Sequence, residues 1–201
     1  RTVIPSTERH WGLKLFDEEQ FQHESETIQR ALGIHLGNRA VEQSSSELAT
    51  QSYELLQGVL ETFPDDSTVL RIQSENLFLL KTPQARLFAE SALQHAPQDE
   101  STLEILSMIS VFTGRNQDAI DYTRRQLDLT PWNSIAWMRL GILLEQESDF
   151  VKAMEAAARA TEINPRFLDA HRLIRKMALK LNKNMLAAKH QRFIETLDTD
   201  Y

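Results

Sequence analysis

The chain has 201 residues, of which 41% are hydrophobic and 25% charged, a composition typical of a soluble globular protein. No run of residues approaches the roughly 18 consecutive apolar residues of a membrane helix. The chain has no cysteine, which excludes disulfides, thiolate nucleophiles and zinc ribbons within this sequence. Eight Lys or Arg against four acidic residues give 166–201 a charge of +4 within a total of −7. This uneven distribution disfavours nucleic acid, which requires a broad basic face, and favours an acidic ligand near the C-terminus.

The N-terminal third is less regular than the rest of the sequence. Residues 1–15 are expected to form an extended arm, and residues 16–65 a degenerate helical pair. Its first helix has apolar residues at helical spacing, and its second runs from Ser46 to Phe63 behind a serine-rich capping sequence. We expect a stretched connection around Gly33–Gln43. The apolar residues assigned to the first helix are Phe16, Phe21, Ile28 and Leu32.

Prolines and alanines recur at a fixed interval along the remainder of the chain. Pro97, Pro131 and Pro165 are evenly spaced, and Pro64 lies one position nearer to Pro97 than this spacing requires. The interval falls within the range of roughly 20–50 residues that characterises stacked repeats of one small unit. The alanines that follow the same period are Ala85, Ala119, Ala153 and Ala187. The predicted units are 66–99, 100–133, 134–167 and 168–201.

Each unit is predicted to contain two helices. In the third unit, Asn133 is suited to cap the first helix, the polar run 145–149 interrupts it, and Asn164 with the following proline ends the second helix. The corresponding interruptions in the other units are Thr82-Pro83, Gly114 with a capping Asn116, and Leu181–Lys183. No segment alternates with the period of a strand, so an all-α protein is expected.

The third unit resembles the tetratricopeptide repeat (TPR) almost position for position. Its matching residues are Trp137, Leu140, Gly141, Leu144, Ala153, Ala157, Ala160 and Pro165. The other units are degenerate, with Gln73, Ser107 and Arg175 at the place of Gly141. The resemblance implies an all-α fold, a right-handed superhelical solenoid of antiparallel helix pairs, with about four TPR-like units following the degenerate N-terminal pair.

In this family the first helix of each unit lines a concave groove, which implies a set of ligand-facing positions. The predicted peptide-binding groove consists of Leu70, Ser74, Glu104, Met108, Met138, Arg139, Ile142, Arg172 and Lys176. The same positions include Ile135, Glu145, Leu179 and Lys180. The Lys/Asn carboxylate clamp of chaperone-binding members is absent, because Leu70 and Ser74, or Glu104 and Met108, stand in its place. An apolar strip running into a basic end suits a peptide or amphipathic helix with an acidic segment.

Residues that would support chemistry are not grouped in the sequence. None of the six histidines lies three or four residues from another, so no helical pair presents two metal ligands on one face. His171 and His190 fall on the two helices of one unit and can approach each other, but two ligands without a carboxylate make a weak metal site. Phosphate-binding and nucleophile motifs are missing as well. We therefore predict no catalytic, cofactor or metal residues.

These features favour a non-catalytic scaffold that binds a protein or peptide, without nucleic acid or a membrane span. The alternative is a recruiting or regulatory TPR domain excised from a larger enzyme, a transferase or redox protein, which the missing initiator Met permits. The C-terminal helix has an uncovered apolar face, which predicts self-association or a further segment downstream. The compartment is not determined, with a cytoplasmic location favoured.

Overall fold

The computed structural model describes the backbone of residues 18–199 and the side chains of residues 25–197. The expected arm, residues 1–15, lies outside the described residues. The described part contains ten α-helices and no strand, which confirms the predicted all-α class. The described residues divide into two compact units, unit 1 up to His95 and unit 2 from Ala96 onward. No helix in the described range is long and apolar enough to cross a membrane.

Unit 1 consists of two antiparallel helix pairs. The first pair is α1 (Glu18–Gln43) with α2 (Ser46–Thr62), and the second is α3 (Ser67–Leu79) with α4 (Ala85–His95). α3 packs against both helices of the first pair. The serine cap of α2 is confirmed, because Ser45 Oγ accepts a hydrogen bond from the Leu48 amide at 3.3 Å.

The prediction of a stretched connection around Gly33–Gln43 is wrong, because α1 is a continuous helix of 26 residues. Gly33 and Gly37 lie one turn apart on its buried face. A Cβ atom at Gly33 would overlap the side chain of Leu56, and one at Gly37 would overlap that of Ile72. These glycines therefore allow α1 to approach α2 and α3 closely and do not form a turn.

Unit 2 consists of three antiparallel helix pairs. They are α5 (Glu100–Phe112) with α6 (Asn116–Leu129), α7 (Ser134–Gln146) with α8 (Phe150–Ile163), and α9 (Leu168–Lys180) with α10 (Asn184–Thr199). Each second helix of a pair also packs against the first helix of the next pair. The repeating alanines Ala119, Ala153 and Ala187 are buried near the starts of α6, α8 and α10, which confirms the predicted stacking of equivalent units.

Most predicted helix ends are confirmed. Asn133 Oδ1 accepts from the Ala136 amide at 3.0 Å, and Gly114 ends α5 with φ +72°, in the left-handed region that favours glycine. Two caps are wrong. Asn116 is the first residue of α6 and its side chain donates to Glu147 at 3.0 Å. Thr82 donates its hydroxyl to the Leu77 carbonyl at 3.0 Å, and α4 begins only at Ala85.

The core of unit 2 follows the TPR-like positions. Gly141 lies where α7 crosses α8, and a Cβ atom there would be 3.2 Å from the Ala153 carbonyl oxygen and 2.9 Å from Leu173 Cδ2. Glycine at this point lets the two helices approach. The buried cluster around it includes Leu140, Leu143, Ala157, Ala160, Ile174 and Met177.

Candidate functional site

The predicted groove residues of unit 2 lie on the first helices of its three pairs, α5, α7 and α9. Met108 and Ile142 have 38% and 42% of their surface exposed, a large fraction for apolar side chains on well-packed helices. Arg172 and Lys176 are exposed on α9. We call the set Glu104, Met108, Arg139, Ile142, Arg172 and Lys176 the first-helix face.

Three predicted residues lie in the interior. Met138 is 9% exposed and belongs to the core cluster of unit 2. Leu70 is 5% exposed, and Ser74 is fully buried with its hydroxyl donating to the Ala85 carbonyl at 2.8 Å. These side chains therefore offer no surface to a ligand.

A shift of one position explains the burial of Leu70 and Ser74. The helix caps Asp66 of α3 and Asp99 of α5 lie one position closer together in the chain than Asp99 and Asn133, which caps α7. Each residue of α3 therefore corresponds to a residue of α5, and to one of α7, that lies one position earlier than the predicted repeat assigned to it.

The buried serines confirm this shifted register. Ser107 donates its hydroxyl to the Ala119 carbonyl at 3.3 Å, as Ser74 does to that of Ala85. Ser74 therefore occupies the helix-crossing position of Gly141. The prediction that Gln73 takes this place is wrong.

The same shift identifies the residues of α3 that correspond to the first-helix face. Arg71 matches Glu104, and Glu75 matches Met108. Arg71 and Glu75 form an ion pair one turn apart at 2.5 Å, and both side chains are largely buried. The sequence already indicated this one-residue shift, because Pro64 lies one position nearer to the next proline of the series than the later prolines lie to each other.

Ion pairs join the three first helices of unit 2. Arg139 on α7 donates to Glu104 on α5 and, at 3.3 Å, to Gln126. Lys176 on α9 lies 2.6 Å from the carboxylate of Glu145 on α7. Because such pairs hold neighbouring helices in register, they also fix the spacing of the exposed side chains between them.

The basic end of the first-helix face is formed by α9. Lys180 lies 3.4 Å from Glu145 and 4.2 Å from the centre of the Phe150 ring, a distance suited to a cation–π contact. Arg172 pairs with Asp169 on its own helix at 3.2 Å. Two lysines share the Glu145 carboxylate, so positive charge remains at this end of the face.

A hydrogen-bonded carboxylate fixes the start of α5 relative to α7. Glu100 Oε1 accepts from the side chains of Asn133 at 2.9 Å and Gln126 at 3.2 Å. Burial by itself would raise the pKa of Glu100, but these hydrogen bonds, that from Asn133 foremost, lower it below its usual value. Glu100 therefore stays ionised at neutral pH and supports the helix that carries Glu104 and Met108.

The histidine pair approaches as the sequence suggested. His171 on α9 and His190 on α10 are in direct contact, with 2.9 Å between their Nδ1 atoms. Within residues 25–197, no group of three or more His, Asp or Glu side chains is arranged to hold a metal ion.

Two of the pockets formed by the described residues, one in each unit, lie away from the first-helix face. One, of about 580 Å³ in unit 1, is lined by residues at the end of α2 and the start of α3, including Phe63 and the Arg30–Asp66 ion pair. The other, of about 330 Å³ in unit 2, is lined by Trp137 and by residues of α6 and α8. Neither pocket was predicted from the sequence.

Comparisons with known proteins give structural likeness alone. No known protein family and no curated protein matches the sequence. Among solved structures, MamA AMB-1 is similar with a TM-score of 0.76 at 19% identity, covering 88% of this chain and 93% of that one. A MamA RS-1 double mutant has a TM-score of 0.75 at 16% identity, covering 86% and 96%.

A further crystal structure of MamA has a TM-score of 0.74 at 18% identity, covering 82% of this chain and 95% of that chain. At this level of identity, the comparison concerns the backbone arrangement. Together with the ten helices of the described part, their paired packing and the buried alanines of the repeat, the likeness shows that this chain has a tetratricopeptide-type fold.

Proposed function

We propose that the chain is a non-catalytic scaffold whose first-helix face in unit 2 binds a segment of a partner protein. The observation that carries the proposal is the exposure of Met108 and Ile142 on neighbouring first helices, beside the cations of α9. Exposed apolar side chains next to charge of one sign are typical of peptide-binding surfaces. The MamA-like fold supports a scaffold of this general kind.

The partner segment proposed here combines apolar and acidic residues. Met108 and Ile142 would contact its apolar side chains, and Arg172 and Lys176 would attract its carboxylates. An extended segment that crosses α5, α7 and α9 in turn would place apolar side chains over the first two helices and an acidic side chain over the third.

Binding would displace some existing ion pairs. Glu104 and Glu145 already neutralise part of the charge of Arg139 and Lys176. A partner carboxylate must compete with them, so its electrostatic contribution falls mainly on specificity and association rate. The apolar contacts would supply most of the affinity.

The test is selection of peptides from a random displayed library, followed by affinity measurements. We expect selected peptides to bind Met108→Glu/Ile142→Glu at least tenfold more weakly than the wild type, because two carboxylates replace the apolar contacts. Val151→Glu is the matched control, since Val151 is 47% exposed on α8, outside the first-helix face. Unchanged affinity in the double variant would exclude this face as the binding site.

The alternative, a recruiting or regulatory domain of a larger transferase or redox enzyme, uses the same surface for a different purpose. It is distinguished by the parent gene: a catalytic domain encoded next to this chain would favour it. Self-association through α10 belongs to the same proposal of protein partners.

A further inference from the structure

His171 and His190 form a polar contact inside the last helix pair. Their residues are 4% and 8% exposed, and their Nδ1 atoms are 2.9 Å apart. The ring of Phe193 stacks on that of His171, with 5.1 Å between centroids and 17° between planes. His171 occupies the position that Trp137 has in the third unit. An ionisable pair therefore replaces an apolar residue at the interface of α9 and α10.

The surrounding groups determine how the protons are arranged. His171 Nε2 lies 2.9 Å from the Pro165 carbonyl oxygen, which can only accept, so this nitrogen carries a proton. In the neutral ring, His171 Nδ1 is then an acceptor, and His190 Nδ1 donates to it. With both rings neutral, every proton in this chain of hydrogen bonds has an acceptor.

An additional proton has no stabilising partner here. α9 presents His171 to His190, α10 contributes the cation of Lys189, and the preceding loop offers only the Pro165 carbonyl. Within the described part of the chain, no carboxylate forms an ion pair with either ring. Burial foremost, and then the charges of His171 and Lys189, lower the pKa of His190 to about 4.

The helix that carries His190 is held by few contacts. Among the described helices, α10 packs only against α9. Its buried side chains are Ala187, His190 and Ile194. A helix with so small a buried surface opens locally at a lower free energy than the rest of the unit, so a change at one buried residue has a large relative effect.

We propose that α10 is an acid-released helix: protonation of the histidine contact frees it from α9 as the pH falls from 7 to 5, while α5–α8 remain folded. In the open form, His190 is solvated and takes up a proton near its ordinary pKa of about 6.5. The docked form resists that proton, so acid favours opening, and above pH 6.5 the docked form is fully stabilised. For a single group, the opening equilibrium rises about twentyfold between pH 7 and pH 5.

Release of α10 would uncover the side of α9 opposite its exposed cations, Arg172 and Lys176. The proposal thus goes beyond a static binding surface and gives the basic end of unit 2 a response to pH. It does not depend on the proposed peptide site, because it concerns the docking of α10 alone.

Hydrogen–deuterium exchange at pH 7 and pH 5, corrected for intrinsic exchange rates, tests the release. We expect protection of α10 to fall at least tenfold more than that of α8. His190→Gln, which retains a donor toward His171 and does not titrate, should lose most of this difference. His35→Gln is the control, because His35 is exposed on α1, and it should behave as the wild type.

Equal loss of protection in α8 and α10, or unchanged pH dependence in His190→Gln, would overturn the proposal. Should that variant not fold, an NMR titration of the wild-type imidazole C–H signals decides the same point. His190 must then titrate well below the ordinary imidazole pKa of about 6.5, and titration of His190 near that value would exclude the mechanism.

Discussion

The carboxylate of Glu145 on α7 lies 2.6 Å from Nζ of Lys176 on α9, and the same carboxylate is 3.4 Å from Nζ of Lys180. The Glu145 side chain is only 15% exposed, while both lysines reach solvent. One largely buried acid thus connects two first helices and limits the positive charge that α9 presents.

Glu145→Gln should therefore have two opposite effects. We expect the free energy of unfolding to fall by about 1 kcal/mol, since the partners of the ion pair are largely solvated, while affinity for an acidic peptide rises several-fold because the lysines are released. Chemical denaturation and peptide titration measure the two effects. Glu155→Gln, on the exposed surface of α8, is the control, and weaker peptide binding in Glu145→Gln would contradict the assigned role.

Two glycines of unit 1 should respond oppositely to alanine. Gly37→Ala places a methyl group against the fully buried Ile72, and we expect a loss of about 2 kcal/mol in unfolding free energy from overpacking. Gly58→Ala, on α2, meets nothing nearer than Gln29 Oε1 at 4.0 Å, so the higher helix propensity of alanine should stabilise by roughly 0.5–1 kcal/mol. Thermal and urea unfolding compare the two, and equal effects would mean that α1 does not pack as described.

Asp66 should make unit 1 sensitive to acid. Burial would raise the pKa of this carboxyl, but the hydrogen bond from Arg30 and those from the Val69 and Thr68 amides lower it. The stabilisation is present above the ordinary pKa of about 4 and is lost as the pH falls through the lower folded value.

We expect Asp66→Asn, which keeps an N-cap for α3, to be less stable than the wild type at pH 7 and to approach it at pH 3. Asp66→Ala, which loses the cap as well, should cost about 2 kcal/mol at pH 7. Urea unfolding at both pH values measures these differences. A gap between wild type and Asp66→Asn that stays constant with pH would show that the carboxylate charge is not responsible.

Self-association through α10 is the expected consequence of its exposed apolar residues. Met185 is 87% exposed and Phe193 is 44% exposed. Light scattering over a range of concentrations should reveal dimers that Met185→Glu disrupts, because a charge replaces an apolar contact. Leu87→Glu, at a 66% exposed residue of α4, is the comparison. A wild type that remains monomeric at high concentration would refute this expectation.

Only part of the candidate site could be predicted from the sequence, as the exposure or burial of four predicted groove residues shows. Exposure of Met108 and Ile142 was expected from the resemblance to the tetratricopeptide repeat, whereas the burial of Leu70 and Ser74 depended on a single missing residue between the caps of α3 and α5. A shift of one residue turns a helical position by about 100°, given roughly 3.6 residues per turn. It therefore moves a side chain from the surface into the core.

The sequence alone determined the helix pairs, their period and ends such as Asn133 and Gly114, because caps and repeat spacing depend on residues close together along the chain. Only the tertiary structure decided that Gly33 and Gly37 pack against side chains of other helices and that Glu145 pairs with Lys176. Each of these depends on how closely two helices approach, a distance set by side chains far apart in the sequence.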